Sequence, residues 1–105
     1  MFRMHTRVDA MIIGTCTVQL RLAGNYSLKG KRSALKPLLA RLRREFNVAV
    51  AEVDQHDDWQ FAQIGLATVS NSRAHADQVL QAAARYVEDN PFGLELVDYQ
   101  IEIIA

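Results

Sequence analysis

Hydrophobic and polar positions alternate near the start of the chain, from Met11 to Leu22. This period of two is typical of a strand that buries one face. The predicted inner face holds Ile12, Gly14, Cys16, Val18, Leu20 and Leu22. Residues 23–27 are rich in turn formers and end the strand.

Leucines then return at helical spacing and predict a first helix. The apolar stripe consists of Leu28, Leu35, Leu38, Leu39, Leu42 and Phe46, and Ser27 before it is a candidate N-cap. Pro37 conflicts with this pattern, because a proline inside a helix costs ~3 kcal/mol. Alternatively, residues 28–34 form a looser first turn and Pro37 opens the main helix. Since the stripe continues through Pro37, we predict one helix with a defect.

The remaining sequence predicts two strands, a helix and a last strand. The strands cover residues 47–54 and 59–70, joined by a polar hairpin loop, and Asn71 or Ser72 caps a second helix. The last strand covers residues 94–104. Predicted inward side chains are Ala62, Ile64, Leu66 and Thr68 of the third strand and Val97, Tyr99, Ile101 and Ile103 of the last. The order βαββαβ predicts a ferredoxin-like α+β sandwich, with a four-stranded antiparallel sheet and two helices on one face.

The second face of this sheet has no predicted cover. Small side chains lie near its centre, namely Thr15, Thr17, Gly65 and Ala67. They would let a second sheet approach closely, so this face is a candidate homodimer surface.

Length and composition limit the class of protein. The chain has 105 residues, half of them apolar, which suits a single domain over residues 11–105. Residues 1–10 carry charge without an apolar run, so we predict a flexible N-terminal extension and no secretory signal. No apolar run approaches the ~20 residues of a membrane helix. The single cysteine, Cys16, is predicted to be an inert core thiol and fits a cytoplasmic location.

Charge is strongly polarised although the whole chain is formally neutral. Residues 45–105 hold eleven acids against two bases, whereas residues 21–44 hold eight bases and no acid. The eight are Arg21, Lys29, Lys31, Arg32, Lys36, Arg41, Arg43 and Arg44. Such a distribution gives one surface that attracts anions.

The first helix is therefore the candidate anion-binding element. Arg32, Lys36 and Arg43 fall within ~40° of each other on the helix, with Lys29 beside them. Near the amino end, unpaired N–H groups favour anions as well. Predicted phosphate contacts are Lys29, Lys31, Arg32, Lys36 and Arg43, with Asn25 and Ser27 in the loop and cap. The alternative is a solvated helix face, partly paired with acids of the second half.

The sequence gives weaker support to an enzymatic or metal-dependent function than to anion binding by the first helix. Between Gly24 and Gly30 lie five residues, and Arg32 follows Lys31, whereas a P-loop needs four and a Ser or Thr. An acylphosphatase-like loop would need an Arg beside Asn25, so Lys29 or Arg32 would have to substitute. We assign no catalytic residues and no cofactor.

A metal site and a base-stacking site are two further candidates, and each has a structural alternative. Asp54, His56, Asp57 and Asp58 could ligate a metal, yet a solvated hairpin explains them, and we assign no metal.

An RNA-recognition sheet would stack bases on aromatics of the first and third strands. The first strand has none. Trp59 begins the third strand and is expected at a sheet edge or a dimer contact more than as a stacking platform.

Several segments together resemble the YlxP-like family, small bacterial proteins of unknown function. They are residues 27–32, residues 46–53, Trp59, residues 69–71 and residues 98–102, in a match spanning roughly residues 11–104. The resemblance implies a ferredoxin-like fold and no established activity. Members are often encoded near ribosome-maturation and translation factors, which implies a role close to RNA. At Gly30 this chain departs from the family, where an acid is usual.

These observations lead to one main hypothesis and two rivals. We expect a non-enzymatic cytoplasmic protein that binds structured RNA or a ribosomal particle through the basic helix and its preceding loop. The first rival is a homo-oligomeric interaction module that uses the open sheet face. The second is a small phosphate or acyl-phosphate hydrolase.

Overall fold

The computed structural model describes residues 11–104. The predicted extension at residues 1–10 lies outside this range. Six elements follow in the predicted order: β1 (Ile12–Arg21), α1 (Leu28–Glu45), β2 (Ala49–Asp54), β3 (Phe61–Ser70), α2 (Arg73–Glu88) and β4 (Glu95–Ile104). Neither helix combines the length and apolarity that crossing a membrane requires.

The four strands form one antiparallel sheet in the order β2-β3-β1-β4, with β2 and β4 at its edges. Inward side chains of β1 and β3 pack against both helices. Buried members of this core include Val18, Leu20, Ile64, Leu38 and Leu80. The predicted ferredoxin-like sandwich is confirmed.

The helices begin where their caps were predicted. Ser27 Oγ accepts a hydrogen bond from the Gly30 N–H at 3.0 Å, and Ser72 Oγ accepts one from the His75 N–H at 3.2 Å. α1 runs through Pro37 without a break. The prediction of one helix is thus confirmed, because its buried stripe outweighs one lost backbone hydrogen bond.

Gly14 brings α2 close to the sheet. A β-carbon at this position would lie 2.8 Å from Leu80 Cδ1 and 3.2 Å from Ile103 Cδ1. The missing side chain therefore leaves the space that Leu80 occupies.

The inward face of β4 differs from the predicted one. Gln19 pairs with Asp98, but the next residue, Leu20, pairs with Leu96. Val97 is thus the extra residue of a β-bulge and is 52% exposed, while Leu96 packs against the core. The prediction of Val97 as inward was wrong, because one inserted residue reverses the alternation.

The other three predicted inward residues of β4 lie on the helix side. Ile101 and Ile103 pack against the core as predicted. Tyr99 pairs with the inward Val18 but remains 40% exposed, and its hydroxyl lies 3.3 Å from Gln81 Oε1 of α2. At β4, an edge strand, the helix-side residue Tyr99 is therefore only partly covered by α2.

Cys16 is buried on the inner face of β1, as predicted. Burial raises the pKa of its thiol from 9.0 to about 11, against a smaller lowering effect of a backbone hydrogen bond with Gln100. The thiol is therefore protonated at neutral pH and is a core side chain.

Candidate nucleic-acid interface

Four cationic residues lie along one flank of α1, and three of them, Arg32, Lys36 and Arg43, line a groove beside β2. Lys29, Arg32, Lys36 and Arg43 are all exposed, and we call them the basic ridge. Within residues 11–104, no carboxylate forms an ion pair with any of the four. Their spacing places them in one arc of ~60° because each residue advances the helix by ~100°. The ridge therefore presents positive charge outward.

Arg43 also contacts the edge of the sheet. Its Nη2 donates a hydrogen bond to the Val50 carbonyl at 2.9 Å. The carbonyl of Glu52, two residues further along β2, lies 3.1 Å from His56 Nε2. Both carbonyls belong to the edge strand β2, so these two side chains cover backbone groups that would otherwise pair with another strand.

Lys31 does not belong to the exposed set, and its predicted phosphate contact was wrong. Its side chain is 1% exposed. Nζ lies 2.6 Å from the Gln55 carbonyl, 3.1 Å from the Phe61 carbonyl and 3.0 Å from Glu52 Oε2. The ammonium group therefore binds α1 to the β2–β3 hairpin.

Glu52 was not predicted as the partner of Lys31. The alternation of β2 contained the signal, since Val50 is buried and Glu52 lies two residues further on the same face. An acid on the helix-covered face needs a cation, and Lys31 occupies the α1 stripe with Leu35, Leu38 and Leu42.

A shallow groove of about 280 Å³ lies between α1 and β2. Its lining consists of Arg32, Leu35, Lys36, Leu39, Arg43 and Glu52. Three ridge cations thus lie beside two leucines and one carboxylate. This combination suits a ligand that has both anionic and flat apolar parts.

Asn25 and Ser27, predicted for the loop and the helix cap, both make structural contacts, and Ser27 is the N-cap of α1. Asn25 Nδ2 donates to the Ser27 carbonyl at 2.8 Å and to the Trp59 carbonyl at 2.5 Å. A β-carbon at Gly30 would overlap Asn25 Oδ1. The amide therefore links the β1–α1 loop to the hairpin, and Gly30 leaves room for it.

Two exposed aromatic side chains lie at this end of the molecule. Tyr26, in the β1–α1 loop, is 70% exposed, and Trp59, just before β3, is 51% exposed. The Asn25 bridge brings the backbones of their two loops together. Tyr26 was missed, although a tyrosine between turn residues and next to a basic helix was visible in the sequence.

The other cations of residues 21–44 have partners. Arg21 lies 3.8 Å from Glu95, and Arg44 lies 3.6 Å from Glu45. Arg41 Nη1 lies 3.3 Å from the Tyr86 hydroxyl. Arg21 and Arg44 thus lie beside carboxylates, whereas Arg41 keeps its charge because its partner is a neutral hydroxyl.

The acids of the hairpin loop shape its backbone. Asp54 Oδ1 accepts from the Gln55 N–H, and Asp58 Oδ1 accepts from the N–H groups of Gln60 and Phe61. In the part of the chain that the structure describes, no three His, Cys, Asp or Glu side chains group as metal ligands would. Hydrogen bonds to nearby backbone N–H groups account for Asp54 and Asp58.

The residues named as a candidate oligomer surface lie together on the open face. Thr15 pairs with Ala67 and Thr17 pairs with Gly65 at the centre of the sheet. A shallow depression of about 360 Å³ lies there, toward β2. No helix of residues 11–104 packs on this face.

Fold and surface together define a small ferredoxin-like α+β domain with one cationic helix flank. Residues 13–101 match the family described as "Protein of unknown function (DUF503)", and the chain belongs to this family. It is 38% identical over 65 residues to "Uncharacterized protein YlxP" of Bacillus subtilis (strain 168), covering 62% of this chain and 71% of that protein. The resemblance to YlxP-like proteins is therefore confirmed.

Solved structures support the fold alone. The designed protein Foldit4 matches with a TM-score of 0.54 at 8% identity, over 90% of this chain and 97% of that chain. An uncharacterized NIPSNAP-like domain protein from Burkholderia xenovorans matches with a TM-score of 0.52 at 19% identity, over 92% and 85%.

Proposed function

We propose that this protein is a non-catalytic binding protein that contacts structured RNA through the basic ridge. One observation carries the proposal: Lys29, Arg32 and Lys36 are exposed along one arc of α1, and no carboxylate of residues 11–104 neutralises them. From Lys29 to Arg43 the helix rises by about 21 Å, a length that can follow several phosphates.

Two features favour RNA with unpaired nucleotides over a simple polyphosphate. Tyr26 and Trp59 are exposed beside the amino end of α1, and aromatic side chains stack on bases that are not in a helix. In the groove, Leu35 and Leu39 offer an apolar surface beside the ridge cations. The resemblance to proteins encoded near ribosome-maturation factors points to ribosomal RNA as the first candidate.

Salt dependence of binding tests the ridge. With three or four phosphates neutralised, raising monovalent salt from about 50 to about 200 mM should weaken binding by about 20- to 150-fold. Filter binding with a folded ribosomal RNA fragment measures this, and Trp59 fluorescence gives an independent signal. A polyphosphate of equal charge serves as the comparison ligand and should bind more weakly.

A matched pair of variants separates the ridge from overall charge. Arg32→Gln/Lys36→Gln removes two ridge cations, whereas Arg73→Gln/Arg85→Gln removes two exposed cations of α2. Only the first should weaken binding, and it should lower the slope of log K against log salt by about 1.4 to 1.8. Equal effects of both double variants, or no RNA binding by the unmodified chain, would refute the proposal.

Removing an aromatic side chain should affect RNA binding differently from removing a ridge cation. Tyr26→Ala or Trp59→Ala should weaken binding by about 5- to 150-fold, with the salt slope unchanged, because stacking releases no counterions. Polyphosphate binding should not respond to either change.

The proposed partner is cytoplasmic, as a protein with a single buried thiol permits. Co-purification from cells, with and without ribonuclease treatment, tests whether the protein associates with ribosomal particles through RNA. Ribosomal particles that co-purify only without ribonuclease would support it.

A further inference from the structure

The two edge strands of the sheet are protected to different extents. β2 is six residues long, and the side chains of Arg43 and His56 cover two of its carbonyl groups. β4 is ten residues long, and within residues 11–104 no strand pairs with its outer side. Such an edge offers a row of backbone N–H and C=O groups to which a further strand can add.

The side chains of β4 determine which strand would fit this edge. On the open face of the sheet lie acidic and amide side chains, namely Asp98, Gln100 and Glu102. On the helix side lie Tyr99, Ile101 and Ile103, all of them partly exposed. In the described range no cation forms an ion pair with Asp98 or Glu102. A complementary strand therefore carries cations toward the open face and apolar side chains toward the helices.

The chain contains a sequence of this kind directly before β1. From Phe2 to Val8, basic residues alternate with uncharged and mostly apolar ones: Arg3, His5 and Arg7 against Phe2, Met4, Thr6 and Val8. A period of two is typical of a strand with two different faces. We propose that residues 2–8 add to the outer edge of β4 as a fifth strand, in place of the flexible extension that composition predicts.

The direction of the fifth strand follows from where this segment ends. Ile13 pairs with Ile104, so β1 begins beside the end of β4. Residues 2–8 lead toward the start of β1 and would therefore run toward the end of β4. The added strand is thus parallel to β4 and antiparallel to β1.

The register follows from the charges. With Arg7 beside Glu102, Arg3 lies beside Asp98, because neighbouring residues of parallel strands share a face and both pairs are four residues apart. The even-numbered residues then point to the helix side and can cover the exposed part of Tyr99. A shift by one residue would turn both arginines toward the apolar side, so alternation excludes it.

The connection to β1 is long enough for this register. From the outer side of β4 the chain must cross two strand spacings, ~9.6 Å, and advance by about three residues along the sheet. Arg7 and Ile12 would then lie about 14 Å apart, whereas five residues of extended chain span up to about 16–18 Å. Residues 8–11 can therefore pass around the end of β4.

The proposal does not depend on RNA binding. Three residues of the basic ridge line a groove beside β2, which is the opposite edge of the sheet. Failure of one proposal would leave the other standing.

Amide hydrogen exchange of the full chain, followed residue by residue by NMR in the absence of RNA, tests the fifth strand. The N–H groups of β4 point alternately toward β1 and toward the outer edge. The first set is protected by β1 in any case, whereas the outer set should exchange slowly because residues 2–8 supply acceptors. Outer amides that exchange as fast as those of an unpaired chain would overturn the proposal.

Reversing the two arginines tests the charge pairing. Arg3→Glu/Arg7→Glu should speed exchange of the outer amides by up to about 30-fold, because an exposed ion pair is worth up to about fivefold and two are lost. Arg32→Glu/Lys36→Glu makes the same change of charge on the basic ridge and should leave these rates unchanged. Rates in Arg3→Glu/Arg7→Glu within about twofold of the unmodified chain would contradict the pairing.

Two further measurements identify the partner of the arginines. Adding Asp98→Arg/Glu102→Arg to Arg3→Glu/Arg7→Glu restores opposite charges and should restore slow exchange, with circular dichroism to check folding. A folded quadruple variant that still exchanges fast would show that these carboxylates are not the partners. Dilution from about 1 mM to about 50 µM should not change the protection, since the contact is within one chain. Protection that falls on dilution would assign the strand to a second copy and overturn the intramolecular arrangement.

Discussion

Replacing the buried Lys31 should destabilise the protein more than removing any exposed charge of α1. Lys31→Met retains the length and apolar stem of the side chain but removes the ammonium group. Three acceptors then lose their partner: the carbonyls of Gln55 and Phe61, and Glu52 Oε2. Glu52 Oε2 is buried and accepts no hydrogen bond in the described structure, so the ion pair with the Lys31 ammonium group at 3.0 Å is what compensates its charge.

The size of the effect follows from what remains behind. Removing one partner of a buried ion pair costs about 3–5 kcal/mol, because the other charge stays buried without compensation. A small domain has about 5–15 kcal/mol of stability in total, so Lys31→Met should lie close to unfolding. Lys31→Met/Glu52→Leu should recover part of the loss by removing the stranded carboxylate, but not all of it, since two carbonyls remain unpaired.

Urea unfolding at neutral pH, followed by circular dichroism and Trp59 fluorescence, measures these differences. Lys29→Met is the control, because Lys29 is exposed near the same end of α1 and should change stability by less than about 0.5 kcal/mol. A loss below about 1 kcal/mol for Lys31→Met would refute the structural role of the pair.

Three further changes test the core and the first loop. Between pH 9 and pH 11 the unfolded chain loses the Cys16 proton before the native chain does, so stability should fall by up to about 3 kcal/mol, a loss that Cys16→Ala would lack. Gly30→Ala should destabilise the protein by displacing Asn25, yet in an Asn25→Ala background it should stabilise it by up to ~1 kcal/mol through helix propensity. Gly14→Ala should cost about 1–3 kcal/mol, because Leu80 must move.

Chemical unfolding measures all three. Parallel pH profiles for the unmodified chain and Cys16→Ala would contradict the first prediction. Additive effects of the Asn25 and Gly30 changes would contradict the second, and an unchanged stability of Gly14→Ala would contradict the third.

Periodicity was sufficient to predict the element order and most of the core. The two-residue period of β1 and the leucines of α1 are strong signals because each element buries one face against the other. They predicted the buried Val18 and Leu38 and the continuity of α1 through Pro37.

Features that depend on one displaced residue were not predictable in this way. The bulge at Val97 depends on how β4 pairs with β1, and alternation along β4 alone contains no trace of that register. Leu96 and Val97 are both apolar, so neither composition nor pattern selects the buried one.

The candidate site was predicted in part. The exposed positions of Arg32 and Lys36 follow from the helical spacing. Lys31 shares its spacing with the buried leucines, and its charge led to the wrong prediction, because the neutralising Glu52 lies on another element. Pairing between distant elements is a property of the tertiary structure, and a single sequence gives it only weakly.

The Lys31 ammonium group has a consequence for any ligand of this surface. It fixes the start of α1 to both ends of the hairpin loop, while Asn25 fixes the preceding loop to the same hairpin. The cations and aromatic rings at this end are therefore carried by segments whose relative positions are set during folding. A ligand would meet a preorganised surface, and association would require little additional loss of conformational entropy from the backbone.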